Sequence, residues 1–299
     1  MKKLTGLVFG ILFGAVAAIA SCGSAHAYQM YSASGVSDTQ VLVNGATGKP
    51  LLKQDLIDNA NSGQPNRTFG YVFGRNSAVQ NVLCDLWDGP TCVYVFPLAA
   101  QQMALSSSSA ADASAGTGVQ QMIIHYLDTN YTIRSEVITL NGITPVNTVA
   151  TNILRINSMH AWRQGTGATA AGNISLKNIA GTITYGYMIL GTSTARQAIY
   201  TIPAAHYGYI SHWQASSGAA SGSHFTSIRL RATSHEGVLL PGVFLVVDEV
   251  GTLNNGYNIT LPIPIRMPPM ADVKMSAISD AGAANAQVMG TIMGWFEDQ

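Results

Sequence analysis

After about residue 76, apolar and polar positions alternate along most of the chain, and the alternation is interrupted roughly every 8–15 residues by clusters of Gly, Pro, Asn or Ser. Neighbouring side chains on a strand point to opposite faces, so this pattern predicts short strands with one buried face each. Strands are expected at 93–96, 119–127, 131–140, 143–149, 153–162, 173–179, 182–190, 198–202, 207–213, 224–233, 238–247, 257–265, 273–278 and 287–296. On 131–140, Ile133, Ser135, Val137 and Thr139 share one face. No long segment carries a helical period, which disfavours alternating β-α units.

The turns give the first pairing. Asp128-Thr129-Asn130 joins 119–127 to 131–140, and Asn141-Gly142 is a strong hairpin signal leading into 143–149. Three strands so joined form an antiparallel meander, with Pro145 placing the third at an edge. Pro262, Pro264, Pro268 and Pro269 likewise put 257–269 at a sheet edge or outside a sheet, because proline cannot donate to a ladder. The resulting fold class is all-β, an antiparallel β-sandwich of jelly-roll-like type with an extended N-terminal arm. The domain reading is a leader at 1–27, an arm with the first strands at 28–96, and a jelly-roll-like sandwich at 97–299. One brief helix is expected at 51–59 within the arm, where Lys53, Asp55 and Asp58 form a polar face.

Composition changes the picture at the surface. Apolar residues make up 47% of the 299 positions and charged residues only 10%, and the formal net charge is zero. Ordinary soluble domains carry about 25% charged residues. A surface so poor in charge suits burial against neighbouring molecules, and the lack of any basic run beyond Lys2-Lys3 argues against direct nucleic-acid binding.

The N-terminus reads as an address. Lys2 and Lys3 precede an apolar stretch, and Ala25-His26-Ala27 offers small residues at a signal-peptidase site, with cleavage between Ala27 and Tyr28. Two other readings stand beside it: a lipoprotein box ending at Cys22, and a soluble chain whose natural start is Met30. After leader removal no membrane association is expected. Cys84 and Cys92 then remain, separated by an Asp88-Gly89-Pro90 turn; in an oxidising compartment they would form a disulfide, and in the cytoplasm two buried thiols.

Candidate chemistry is sparse. The sequence has no nucleophile elbow, zincin motif, phosphate loop or dinucleotide fingerprint, and no catalytic residue, cofactor or metal is expected. His206 and His212, on adjoining strands with His224 nearby, are the nearest approach to a metal site; His125, His160 and His235 are scattered. Asp248-Glu249 and Glu297-Asp298 are the adjacent carboxylate pairs, and strand geometry would turn the first pair to opposite faces. Trp87, Trp162, Trp213 and Trp295, with Tyr207 and Tyr209, offer either a carbohydrate platform or core and contact filling, with the latter favoured by the area that aromatics bury.

An ordered series of blocks carries a family resemblance. It runs through Asp112-Ala113-Ser114-Ala115-Gly116-Thr117-Gly118, Leu127-Asp128-Thr129-Asn130-Tyr131 and Ser135-Glu136-Val137-Ile138-Thr139-Leu140-Asn141-Gly142. It continues through Leu154-Arg155-Ile156-Asn157, Gly165-Thr166-Gly167, Ala171-Gly172-Asn173-Ile174, Ala198-Ile199-Tyr200-Thr201-Ile202-Pro203-Ala204 and the run 227–231. In these blocks the chain resembles virion structural proteins of marine bacteriophages and cyanophages. The resemblance implies a β-rich structural protein of the phage particle, associated with capsid decoration, tail or fibre. Such a protein would self-assemble, as a homotrimer by common phage practice, beside other virion proteins. The leader departs from that pattern, since virion proteins assembled in the cytoplasm need none. The competing expectation is an exported periplasmic or surface β-sandwich binding module, with carbohydrate as its ligand.

Overall fold

A computed structural model describes residues 27–31, 37–42, 67–219, 224–233, 242–280 and 285–298. The chain divides into two units, Met1–Arg67 and Thr68–Gln299. In the first, β1 (Ala27–Tyr31) and β2 (Ser37–Leu42) form an antiparallel pair with Ala27 opposite Leu42 and Tyr28 opposite Val41. The expected helix at 51–59, and residues 32–36 and 43–66 of the segment expected as the arm with the first strands, lie outside the described residues.

The second unit is all-β with no helix among its described residues. Its strands are β3 (Arg67–Val79), β4 (Cys84–Asp85), β5 (Met103–Ser107), β6 (Val119–Asp128), β7 (Ile133–Thr139), β8 (Val146–Asn147), β9 (Ile153–Gln164) and β10 (Ile174–Asn178). They continue with β11 (Thr184–Met188), β12 (Ile199–Thr201), β13 (His206–Ala219), β14 (Phe225–Ala232), β15 (Leu245–Leu253), β16 (Gly256–Met267), β17 (Asp272–Ser279) and β18 (Ala286–Asp298). They build two stacked-sheet cores in place of the single sandwich expected at 97–299. The outer parts of the sequence, β3–β4 and β12–β18, form a jelly roll. Its sheets have the orders β16-β13-β18-β3 and β12-β17-β14-β15, with β4 beside β12 on the same edge of β17. Counting β4 and β12 as one interrupted strand, the eight strands pair first with last, second with seventh, third with sixth and fourth with fifth, the double Greek key of a jelly roll. Trp213, Ile228, Leu230, Met275 and Val288 fill its core.

The second sandwich is inserted into the interrupted strand. Its sheets, β11-β10-β5-β8 and β7-β6-β9, enclose Met103, Leu105, Met122, Ile124, Ile153, Met159 and Ile174. The backbone closes where the insertion begins and ends. Leu86 N donates to Met275 O, Met275 N to Ala198 O, and Ala198 N to Leu86 O, each at 2.9 Å. The outgoing and returning chains then run side by side, with Trp87 bridged to Gln197 and Asp88 N bonded to Arg196 O. Gly74 packs on this neck so closely that a Cβ there would stand 2.0 Å from Leu86 O.

Several sequence expectations need correction. Residues 67–79 are a long strand of the jelly roll and not part of an arm; glycines at 70 and 74 thin the pattern there, and each is required by a close approach. Residues 93–96 are not a strand, because Tyr94 N is taken by the Asp85 carboxylate (2.8 Å) and the side chain is buried edge-on against Trp87. The expected meander is also rewired. The 143–149 segment contributes only the short β8, at an edge as Pro145 requires, and it pairs with β5 in the opposite sheet; the third strand beside β6 is β9. The proline-rich β16 lies at a sheet edge. Its pairing jumps from Thr260 opposite His212 to Ile265 opposite Ile210, so Pro262, Ile263 and Pro264 sit in the bulge.

Buried carboxylates fix the loops and the seam. Asp112 is fully buried and accepts bonds from Ser107 Oγ (2.6 Å), Val119 N (2.7 Å), Ala171 N and Gly172 N (both 2.9 Å). It ties together two of the glycine-rich blocks that read as loops in sequence. Between the two sandwiches, Arg155 on β9 meets Asp272 on β17 in a two-pronged pair (2.9 and 3.1 Å), while Arg155 also donates to Pro97 O (2.8 Å). Asn157 exchanges bonds with the Thr201 backbone at 3.0 and 2.9 Å. Removing one partner of a buried ion pair strands the other charge, so Arg155→Ala should lower unfolding free energy by about 3–5 kcal/mol. Urea denaturation of the two chains checks this, and calorimetry should show the inserted sandwich melting less cooperatively with the jelly roll.

Candidate functional site

The residues singled out in the sequence fall at separate places. Cys84 and Cys92 are joined by a disulfide with Cα atoms 4.6 Å apart, closing the hairpin that begins the neck. Beside it Asp85, buried, accepts bonds from Lys274 Nζ (2.8 Å), Ser276 Oγ (2.7 Å) and Tyr94 N (2.8 Å), and Lys274 also lies 4.2 Å from the Phe244 ring centroid. Every oxygen of this carboxylate is occupied by the fold itself, so the cluster holds the interrupted strand on β17 and leaves no group free for chemistry. Ala27 and Tyr28, at the expected cleavage point, lie on β1.

The histidines do not converge. His206 and His212 share β13 and do not lie on adjoining strands; their Nδ1 atoms contact Ala204 O (2.7 Å) and Thr260 Oγ1 (3.1 Å). His224 contacts Asp280 (3.2 Å), and His235 lies outside the described residues. Among the described residues no three His, Cys, Asp or Glu side chains gather around a point where a metal ion would sit. Asp248 and Glu249 turn to opposite faces of β15. Asp248 accepts the Trp213 indole N–H (2.9 Å), and Glu249 accepts from Ser227 and pairs with Arg229 (3.2 Å). The Ser227 hydrogen bond and then Arg229 hold Glu249 below the usual carboxylate range against a smaller opposing effect of desolvation.

Three of the four tryptophans are interior. Trp87 and Trp213 are buried, and Trp295 stacks on Tyr209 at 5.4 Å with little exposure. Tyr207 lies under Arg266, 3.8 Å from its ring centroid. They form no open platform. Trp162, however, is 60% exposed, at a bulge of β9 where the pairing passes from Ala161 opposite Met122 to Arg163 opposite Gln121. On the outer face of the β7-β6-β9 sheet, Val137 opposes Ile123, which opposes His160, and Ser135 opposes His125, which opposes Ser158. Val137 and Ile133 are exposed on that face. The sequence had grouped Ile133, Ser135, Val137 and Thr139 correctly, but nothing in the alternation tells which face is covered. Beyond this sheet, Val149 at 88% and Ile263 at 82% stand almost wholly in solvent.

His125 and His160 stack at 5.4 Å across β6 and β9. Their juxtaposition was not foreseen, since it depends on the pairing register of β6 with β9, which sets Ile123 opposite His160 and His125 opposite Ser158. Partial burial lowers both pKa values, and for His160 the neighbouring His125 adds to the effect. Where this face ends against the jelly roll, a cavity of about 250 Å³ is lined by His125, Ser158, Asn157, Tyr200, His206 and Phe296, among others. Among the described residues no helix is long and apolar enough to cross a membrane.

No family model matches the chain, and no curated protein sequence matches it. Solved structures that it resembles include that of STIV MCP, at 10% identity over 76% of this chain and 96% of that one, with a TM-score of 0.21. The infectious bursal disease virus Gt strain structure aligns at 10% identity over 77% and 72%, TM-score 0.18. The VP2 subviral particle of infectious bursal disease virus aligns at 10% identity over 78% and 76%, TM-score 0.16. Overlap of that order equates no residue of this chain with a residue of theirs.

A histidine whose pKa is lowered on folding takes up its proton more readily in the unfolded chain. Stability is therefore lost as pH falls through the ordinary value of 6.5 toward the lower folded values. Between about pH 7.5 and about pH 5 the wild-type chain should lose more stability than a His125→Gln/His160→Gln variant. Thermal melts of both chains across that range measure the difference; equal losses would remove the histidine pair as the cause.

Proposed function

We propose that this chain is a structural component of a bacteriophage virion, associated with capsid decoration or with the tail or fibre, and that it works by assembling with copies of itself. The observation that carries the reading is the sparsely charged, partly apolar exterior of the inserted sandwich. Between Val95 and Gln197 the charged residues are Asp112, Asp128, Arg134, Glu136, Arg155, Arg163, Lys177 and Arg196. Asp112 and Arg155 are consumed inside, Asp128 pairs with Arg134 (3.1 Å), and Glu136 accepts from Val149 N and Ala150 N. That leaves the face bearing Val137 and Ile133 with one charged side chain, the exposed Arg163 opposite Gln121 in the row of Thr139. Burying such a face is worth roughly 25 cal/mol per Å² of apolar area before the costs of association.

The jelly roll supports the same reading. It is an architecture of viral capsids, though it also serves lectins and cupins. The overlap with STIV MCP and the bursal disease virus structures is too loose to weigh in the choice. A homotrimer is the proposed assembly, with other virion proteins as further partners; the chain has no catalytic part in the reading. Sedimentation of the recombinant chain at micromolar concentration should show a discrete oligomer, which Trp162→Glu together with Val137→Lys shifts toward monomer. A wild-type chain that sediments as a clean monomer would count against assembly.

The Cys84–Cys92 disulfide favours a second reading, in which the leader exports the chain as a surface or periplasmic binding module. Mass analysis of the native protein separates the two. A chain starting at Tyr28 with no titratable thiol at Cys84 or Cys92 supports export, and one starting at Met30 with free thiols supports the virion.

A further inference from the structure

A second cavity, of about 570 Å³, lies beside the neck. Its floor follows from strand register. Trp213 and Ala215 of β13 point into the jelly-roll core, so Gln214 and Ser216 between and after them face outward. Gln214 stands opposite Asn258 on β16 and opposite Thr291 on β18. The three make one row of amide and hydroxyl groups across the sheet, and all three line the cavity together with Phe73. Such groups both donate and accept hydrogen bonds.

The wall is cationic. Arg75 on β3 and Arg196 on the returning chain of the neck both line the cavity, and both hold the buried Asp88 by their Nε atoms, at 3.1 and 2.5 Å. Two guanidinium groups share one carboxylate, which leaves one positive charge in excess. The remaining groups that line the cavity include no carboxylate and no lysine. The Arg75 and Arg196 side chains remain 22% and 21% exposed, so the excess positive charge is open to an incoming anion. Guanidinium pairs suit the forked geometry of a carboxylate or sulfate.

We propose that this cavity binds an acidic saccharide: the carboxylate or sulfate rests on Arg196 and Arg75, the hydroxyls lie along Asn258, Gln214 and Thr291, and the ring packs near Phe73. The site is independent of the assembly reading, since it sits on the jelly roll and the neck and not on the face of the inserted sandwich. It also differs from the aromatic platform expected from sequence, because charge and amide groups supply the recognition.

The test uses the full chain at low salt, where screening is weak, with glucuronate, glucose and inorganic sulfate as probes in ligand-observed NMR titrations. Glucuronate is expected to bind at least about tenfold more tightly than glucose. Sulfate should compete with it. Arg196→Gln should weaken glucuronate by about tenfold or more. Because Arg196 also braces the neck, Asn258→Asp provides a second variant that leaves the neck untouched; its new carboxylate should abolish glucuronate binding while the melting temperature stays near that of the wild type. The proposal is overturned if glucuronate does not bind, if glucose binds equally well, if sulfate binds but glucuronate does not, or if both variants retain wild-type affinity.

Discussion

The second unit of this protein depends on three backbone hydrogen bonds at one place. Met275 donates to Ala198 and accepts from Leu86, and Ala198 donates to Leu86. They make a single jelly-roll strand out of two pieces separated in sequence by an entire β-sandwich. A strand ended without partners inside a sheet would leave buried N–H and C=O groups unsatisfied, at about 1–3 kcal/mol each. Here the returning chain supplies the partner that the outgoing chain gives up. The glycine at 74, the disulfide at Cys84–Cys92 and the buried Asp85–Lys274 pair all bear on this junction. The cavity lined by Arg75 and Arg196 exists because the neck passes there.

The two sandwiches meet through polar groups more than through a shared apolar core. Trp87, Tyr94 and Ile199 form a small apolar cluster of their own, with Phe96 and Tyr187 against it. Around it, Arg155 and Asp272, Asn157 and Thr201, and the Tyr94 hydroxyl donating to Tyr185 O (3.0 Å) set the relative position. Directional bonds fix geometry where a greasy contact would permit sliding. The inserted sandwich is thus held against the jelly roll by directional bonds at their seam.

Much of the strand content was legible in the alternation. Residues 119–127, 153–162, 173–179, 224–233 and 273–278 lie on strands close to those bounds, and the proline-rich segment fell at an edge as its missing N–H groups demand. Three kinds of feature were not legible. Segment 67–79 carries glycines where strands pass close together, which weakens the pattern that would reveal it. Segment 143–149 follows a strong turn yet pairs with β5 in the opposite sheet, and β7 stands at the edge of its own sheet. The Arg75–Asp88–Arg196 group joins residues from three parts of the chain and has no local spacing at all.

The sequence by itself determined that the chain would be antiparallel β, where most of its turns would fall, and that its surface would carry little charge, because alternation, turn residues and composition are local quantities. Only the tertiary structure decided that there are two sandwiches, that one interrupts a strand of the other, and which exposed face and which cavity result. Those outcomes rest on pairing between segments more than a hundred residues apart, such as Leu86 with Met275 and Ala198, and hydrogen bonds over that separation leave no period in the sequence to read.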